Sequence, residues 1–162
     1  MPFALWAFCV LFIVCGIFFR LPVTGGKLFS RWGPRMMGGR FFHDGSDIAV
    51  PRGTPVRAVS GGRVKEVSFT ARKGNYLVIA HFPGVESVYL HLDKTRVSPG
   101  ERVNKKTVIG FSGSSGFSTG PHLHFEIRLF SVPFPAYLMC LPGRLFRAAR
   151  GLERGTASGG GD

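Results

Sequence analysis

Two histidines one residue apart are the clearest candidates for chemistry in this chain. They lie in the segment Gly120–Glu126, which reads Gly-Pro-His-Leu-His-Phe-Glu. On a β-strand, residues i and i+2 project from the same face. We therefore expect His122 and His124 to lie side by side in one site, with Leu123 and Phe125 packed on the opposite face.

A carboxylate and a further imidazole complete a familiar ligand set. His43 and Asp47 lie four residues apart, a spacing expected to place both on one strand face. Two imidazole nitrogens and one carboxylate oxygen are typical ligands of a catalytic zinc ion, which keeps a fourth position open. We predict a zinc ion held by His43, Asp47 and His124, with Gly45 allowing the chain to turn between the first two.

Proton transfer and oxyanion stabilisation remain once zinc has acidified water and polarised a carbonyl. Imidazole titrates near neutral pH, so His91 and His122 are the predicted catalytic residues. Strand alternation puts Tyr89 on the face of His91, where it would either bind substrate or pack. Glu126 shares the face of His122, where it either orients a ligand ring or pairs with Arg128.

Short β-rich segments divided by Gly and Pro turns must position these side chains. They occupy residues 46–50, 55–59, 63–69, 76–82, 87–93, 102–103, 107–111 and 122–129. Gly61-Gly62 predicts a hairpin turn between the second and third of them. The small residues of 112–121 predict a loop at the mouth of the site. This pattern indicates an all-β domain with an antiparallel sheet.

The remaining composition limits the choice of partners. Lys and Arg number 21 against 9 Asp and Glu, a net charge of +12 that favours polyanions. No nucleic-acid-binding module accompanies this charge, so we expect no nucleic-acid partner. The three cysteines show neither a CxxC pair nor a disulfide framework.

The first 19 residues carry no charge and could span about 28 Å as a helix, close to the thickness of a bilayer core. We predict a transmembrane anchor there, with a cleaved signal peptide as the alternative. Basic residues after the segment favour a cytoplasmic domain, whereas the activity argued below requires an external one. The predicted divisions are an anchor or signal segment at 1–19, a linker at 20–30, one domain with the predicted zinc site at 31–135 and a basic, Gly-rich tail at 136–162.

Nine segments, in order along the chain, resemble the lysostaphin/LytM-type zinc metallopeptidases. They are Trp32–Arg35, His43–Ile48, Gly53–Val56, Gly62–Val64, Gly74–Tyr76, Tyr89–Leu92, Val108–Gly110, Ser118–Gly120 and Pro121–Arg128. The resemblance implies an open antiparallel sheet with a loop-walled groove. It also implies zinc on His43, Asp47 and His124, catalytic roles for His91 and His122, and cleavage of the peptide part of bacterial peptidoglycan.

Such an enzyme would work in the cell envelope, anchored in the cytoplasmic membrane with its domain facing the periplasm or wall, or secreted if the first segment is cleaved. The alternative is a non-enzymatic, wall-binding scaffold that activates another hydrolase. The sequence leaves open which peptidoglycan bond is cut and how many copies of the chain associate.

Overall fold

The computed structural model describes residues 19–37, 40–136 and 140, and these residues form twelve β-strands. The strands are β1 (Lys27–Ser30), β2 (Gly33–Met37), β3 (Arg40–His43), β4 (Ser46–Ala49), β5 (Pro55–Arg57), β6 (Gly62–Thr70), β7 (Gly74–Phe82), β8 (Val85–Thr95), β9 (Arg102–Val103), β10 (Val108–Ser112), β11 (His122–Leu129) and β12 (Val132–Phe134). This architecture confirms the predicted all-β class.

One antiparallel sheet contains ten of these strands. Its main path runs β1-β4-β11-β8-β7-β6-β9, with β12 beside β11 and β10 pairing both β5 and β8. The strands β2 and β3 form a separate two-stranded sheet. The strand that carries the histidine pair, β11, therefore lies inside the sheet, between β4 and β8.

Strict alternation along β11 separates the core from the site. Leu123, Phe125 and Ile127 are buried in the main hydrophobic cluster. His122 and His124 project from the other face, as strand periodicity predicts. Burial of both faces is usual for a strand with neighbours on both sides and loops above it.

The next strand, β8, does not keep this alternation. Leu90 lies opposite His124 and Tyr89 opposite Phe125, so Tyr89 faces the core. His91 then adopts a left-handed backbone conformation, with φ of 60°. This local irregularity turns its ring to the face of His124, and Leu92 returns to the core. The expected common face of Tyr89 and His91 is therefore wrong.

Tyr89 is a core residue, which excludes the predicted option of a substrate contact. Its ring is fully buried and its hydroxyl accepts hydrogen bonds from the Val59 amide at 3.1 Å and from Ser87 Oγ at 3.0 Å. Burial raises the pKa of the Tyr89 phenol. The hydroxyl thus satisfies polar groups inside the core.

The predicted hairpin turn at Gly61-Gly62 is also wrong, since β5 pairs with β10 while β6 pairs with β7 and β9. Gly62 belongs to β6 and is needed for close approach. A Cβ there would lie 2.4 Å from the Ala80 carbonyl oxygen and 2.9 Å from His81 Nδ1.

Residues near both ends of the described chain pack into the fold. Strand β1 lies within the range predicted as linker and pairs with β4. Ala136 and Cys140, from the range predicted as tail, are buried in the core. No helix among the described residues is long and apolar enough to cross a membrane. The predicted transmembrane segment lies outside those residues, except for Phe19, and most of the tail does too.

Replacing Tyr89 by Phe is expected to lower the free energy of unfolding by about 1–3 kcal/mol, because the buried Val59 amide loses its acceptor. Urea unfolding measures this loss. Tyr76→Phe is the matched control, since its hydroxyl bonds to Glu66, an exposed carboxylate that water can solvate. Equal stability of Tyr89→Phe and wild type would contradict the assigned role.

Candidate metal centre

Three side-chain atoms from different strands meet on the face of β11 that carries the histidines. His43 Nε2 lies 3.1 Å from Asp47 Oδ1 and 3.1 Å from His124 Nδ1, while His124 Nδ1 lies 2.7 Å from Asp47 Oδ1. All three residues are buried. The group could hold a metal ion, each residue offering one ligand atom.

In the rings of His43 and His124, one nitrogen faces into the cluster (the inner nitrogen) and the other faces away from it (the outer nitrogen). The partners of the outer nitrogens show which ring nitrogens carry hydrogen. His43 Nδ1 lies 2.8 Å from the Arg31 carbonyl oxygen, and His124 Nε2 lies 3.0 Å from Glu126 Oε1. Carbonyl and carboxylate oxygens accept hydrogen bonds, so these ring nitrogens must donate. In the neutral rings, the inner nitrogens therefore carry lone pairs that face each other and the Asp47 oxygen.

Three converging lone pairs repel unless a cation lies between them. When no metal ion is bound, a proton on one of these atoms must separate the lone pairs. Burial opposes a charged ring, but hydrogen bonds to Asp47 and Glu126 outweigh it and raise the pKa of His124 to about 9. Burial likewise opposes ionisation of Asp47, yet the two imidazoles hold the pKa of Asp47 well below its usual range. The chemistry of the donor set therefore fits a bound cation.

A second layer of charge orients the His124 ring. Arg128 Nε donates to Glu126 Oε2 at 2.8 Å while Glu126 Oε1 accepts from His124. These residues share one face of β11, so strand periodicity brings them together. Both of the contacts predicted as alternatives for Glu126 are present, and the carboxylate links the ring to the arginine.

Two more imidazoles border the metal centre. The ring centroids of His91 and His122 are 4.8 Å apart, and His122 Nε2 lies 3.9 Å from Asp47 Oδ1. His91 Nδ1 donates to the Ser115 carbonyl at 2.9 Å and His122 Nδ1 to the Gly120 carbonyl at 2.7 Å. Each neutral ring therefore keeps an unprotonated Nε2.

Burial lowers the pKa of His91 to about 4, against a weaker opposing effect of the hydrogen bond to Ser115. The ring is therefore neutral at pH 7. Residues of the 112–121 loop supply the carbonyls that fix both tautomers, in keeping with its predicted place at the mouth of the site.

Local structure brings His43 and Asp47 together differently from the sequence-based expectation. His43 ends β3 and Asp47 belongs to β4, so the two do not share one strand. Gly45 between them has no left-handed backbone, and its small size matters instead. A Cβ at Gly45 would lie 2.6 Å from the Phe125 carbonyl oxygen and 2.8 Å from His124 Nε2.

Sequence reasoning missed one aromatic neighbour of the site. Phe29 of β1 is 56 % exposed, and its ring makes an edge-on contact with His122 at 5.6 Å between centroids. No local spacing connects the two, because β1 reaches the site through its pairing with β4.

Comparison with known proteins agrees with this geometry. Among solved structures, a zinc-containing peptidase from Vibrio cholerae is similar, with a TM-score of 0.69 and 38% identity over 74% of this chain and 39% of that one. The catalytic domain of lysostaphin from Staphylococcus simulans gives a TM-score of 0.65 and 33% identity, covering 70% of this chain and 92% of that domain.

Among curated proteins, the peptidoglycan DD-endopeptidase ShyB of Vibrio cholerae is 42% identical over 100 residues, which cover 62% of this chain and 24% of that protein. The DD-carboxypeptidase/endopeptidase Mpg of Neisseria meningitidis is 45% identical over 103 residues, covering 62% and 23%. The chain thus spans about a quarter of the length of these relatives. The model of peptidase family M23 matches residues 41–134, more than half of the chain. On these matches the chain belongs to peptidase family M23.

Proposed function

We propose that this protein is a zinc-dependent endopeptidase that hydrolyses peptide bonds in bacterial peptidoglycan. The observation that carries the proposal is the meeting of three metal-ligand atoms beside two further imidazoles, His91 and His122, which each donate from Nδ1 to a loop carbonyl and leave Nε2 to exchange protons. Relatives named as peptidoglycan DD-endopeptidases support the substrate class. A place in the cell envelope follows from that substrate, and anchoring by residues 1–19 remains a prediction.

Zinc suits the centre formed by His43, Asp47 and His124. Ligand atoms at zinc's usual bond lengths in a tetrahedral site are separated by about 3.3 Å. The separations here, 2.7 to 3.1 Å, are slightly shorter and require only a small outward adjustment. Nitrogen and oxygen donors without a thiolate are also typical of catalytic zinc sites. The second-layer contact of Glu126 with His124 is a usual feature of such sites.

Bound zinc would supply Lewis acidity toward a peptide carbonyl and toward water. The protein's own part is proton transfer. His91, neutral at pH 7, accepts a proton at Nε2 as water attacks the carbonyl carbon, and His122 offers a second acceptor nearby. The proton then passes to the leaving amine nitrogen as the carbon–nitrogen bond breaks. The hydrogen bonds to Ser115 and Gly120 keep both nitrogens facing the reaction.

Replacing either catalytic histidine by Ala should abolish most turnover while zinc stays bound. We expect His91→Ala and His122→Ala to lower the rate of peptidoglycan cleavage about 100- to 10,000-fold, the usual contribution of general acid–base catalysis. His124→Ala should lose zinc as well. Mass spectrometry of fragments released from purified peptidoglycan measures cleavage, and metal analysis measures the bound zinc.

His81→Ala is the matched control, since His81 lies at the far end of β7 and contacts Gly61 and Ser87. New amino and carboxyl ends that vanish with chelator and return with zinc would support the proposal. Wild-type rates in all three site variants would refute the assigned roles. No cleavage by zinc-loaded protein, together with stimulation of another hydrolase, would favour the scaffold alternative.

Zinc binding at pH 7 should release about one proton, because the pKa of His124 near 9 leaves that ring protonated until the metal displaces its proton. The apparent affinity for zinc should therefore fall about tenfold per pH unit as pH drops from 8.5 to 7. Calorimetric titrations in buffers of different ionisation enthalpy count the protons. A count of zero and a flat affinity over this range would contradict a protonated His124 in the metal-free protein.

Substituting Gly45 by Ala should weaken zinc binding, since the added methyl would overlap the Phe125 carbonyl and the His124 ring. We expect at least a tenfold loss of affinity with the sheet intact by circular dichroism, in line with other disturbances of ligand orientation. Gly61→Ala is the control, because its Cβ would approach only the Val103 carbonyl oxygen, at 3.7 Å. Equal zinc affinity of the two variants would exclude this packing constraint.

A further inference from the structure

The central strands β7, β8 and β11 carry the candidate site at one end and exposed apolar side chains at the other. Asn75, His91 and His122 lie toward the site end of β7, β8 and β11. At the opposite end, the turn between β7 and β8 meets the turn between β11 and β12, where the Phe130 amide donates to the Gly84 carbonyl at 2.6 Å. The sheet therefore has two distinct ends.

Three large apolar side chains cluster on these two turns, and we call them the apolar tip: Phe82, Phe130 and Val132. They are 43 %, 75 % and 63 % exposed. A Cβ on Gly84 would lie 2.5 Å from the Phe130 ring, so that ring covers the neighbouring turn. The two turns therefore lie side by side and both carry exposed apolar side chains.

The backbone at Phe130 makes its exposure informative. The two-residue turn between β11 and β12 has Phe130 at φ 48° and Ser131 at φ 68°. Such turns favour Asn and Gly, because a left-handed backbone is unfavourable for bulky residues. Burial does not offset this cost for Phe130, since most of its side chain is exposed. The exposed Phe130 ring is therefore suited to contact with a surface outside this domain.

Positive charge lies beside the tip, in what we call the basic collar: Arg20, Arg63 and Arg102. Arg63 and Arg102 line a shallow cavity of about 350 Å³ next to His81, whose ring lies 6.3 Å from that of Phe82. Arg20 follows Phe19, which makes edge contacts with both His81 and Phe82.

Two nearby carboxylates are engaged by other groups. Glu86 pairs with Lys65, and Glu101 accepts a hydrogen bond from the Ser98 amide. The collar is thus a surface of net positive charge.

The chain also enters the described fold at this place. Residues 1–19 carry no charge, and Phe19, at the end of that run, is buried against Phe82. Phe19, the last residue of the uncharged run, therefore lies at the same end of the sheet as the apolar tip and the basic collar. Aromatic rings at the headgroup level and arginines near phosphates are characteristic of proteins that contact a lipid surface.

We propose that the apolar tip and the basic collar together dock this domain on an anionic lipid bilayer. The seven residue steps from His122 to Leu129 extend about 23 Å at the usual rise per strand residue. The metal centre would therefore face away from the bilayer, toward material beyond it. This proposal does not depend on the peptidase activity.

Depth-dependent quenching of added tryptophans tests the orientation. The full chain would be bound to vesicles of phosphatidylcholine and phosphatidylglycerol with brominated acyl chains, and each variant compared with wild type to subtract Trp6 and Trp32. We expect the vesicles to quench the emission that Phe130→Trp adds, because aromatic rings lie at the level of the headgroups and upper acyl chains. Val132→Trp is a second tip variant in case the first disturbs the turn.

Phe69→Trp is the matched control, because Phe69 is 61 % exposed on β6 and pairs with Asn75 at the site end. Quenching at both tip positions and none at position 69 supports the proposal. Stronger quenching at position 69 would mean that the site end faces the bilayer, and would overturn it. So would tip tryptophans that are blue-shifted without vesicles and unquenched with them, which would indicate cover by another part of this chain or by a second copy.

Discussion

The site depends on an excess of lone pairs inside the protein. Hydrogen bonds to the Arg31 carbonyl and to Glu126 occupy the outer nitrogens of His43 and His124, so their inner nitrogens face each other and the Asp47 oxygen. Acceptors in contact are unfavourable unless a metal ion or a proton lies between them. The pairing of β4 with β11 places Asp47 opposite His124, and His43 ends β3 three residues before β4 begins.

Hydrogen bonds to backbone carbonyls also fix the rings of the residues that would transfer protons. His91 and His122 each give their Nδ1 hydrogen to a backbone carbonyl of the loop over the site, so both rings have one defined tautomer. Burial keeps the His91 ring neutral at pH 7, so its Nε2 lone pair is free to accept a proton. A loop of small residues suits this role, since its backbone can approach the rings closely.

Much of the candidate site could be predicted from the sequence, because core-facing and site-facing side chains alternate along β11 without interruption. Its histidines, its core residues and the contact between Glu126 and His124 all follow from a period of two. His91 could not be placed by the same rule, since a left-handed residue reverses the phase of β8 and moves Tyr89 into the core. Such an irregularity depends on contacts with the Lys73 carbonyl and the Ser115 loop, which are distant in sequence.

Gly62 was expected at a hairpin turn but lies in β6, where the absence of a Cβ allows the Ala80 carbonyl to approach closely. Gly45 lies where the chain bends from β3 to β4, as expected, and the sequence did not show that the Phe125 carbonyl and the His124 ring also require its small size. The contact of Phe29 with His122 could not be predicted either, since only the pairing of β1 with β4 brings the two rings together. Sequence patterns report local geometry well, whereas contacts between strands require the sheet order.

X-ray absorption at the zinc edge tests the central claim most directly, namely that His43, Asp47 and His124 together hold the metal. The account predicts light-atom ligands at about 2.0–2.2 Å, two imidazoles and no sulfur in the zinc-loaded protein. His91→Ala and His122→Ala should keep both imidazoles, while any zinc retained by His124→Ala should show one. A sulfur ligand, or loss of an imidazole in His91→Ala or His122→Ala with both retained in His124→Ala, would contradict the account.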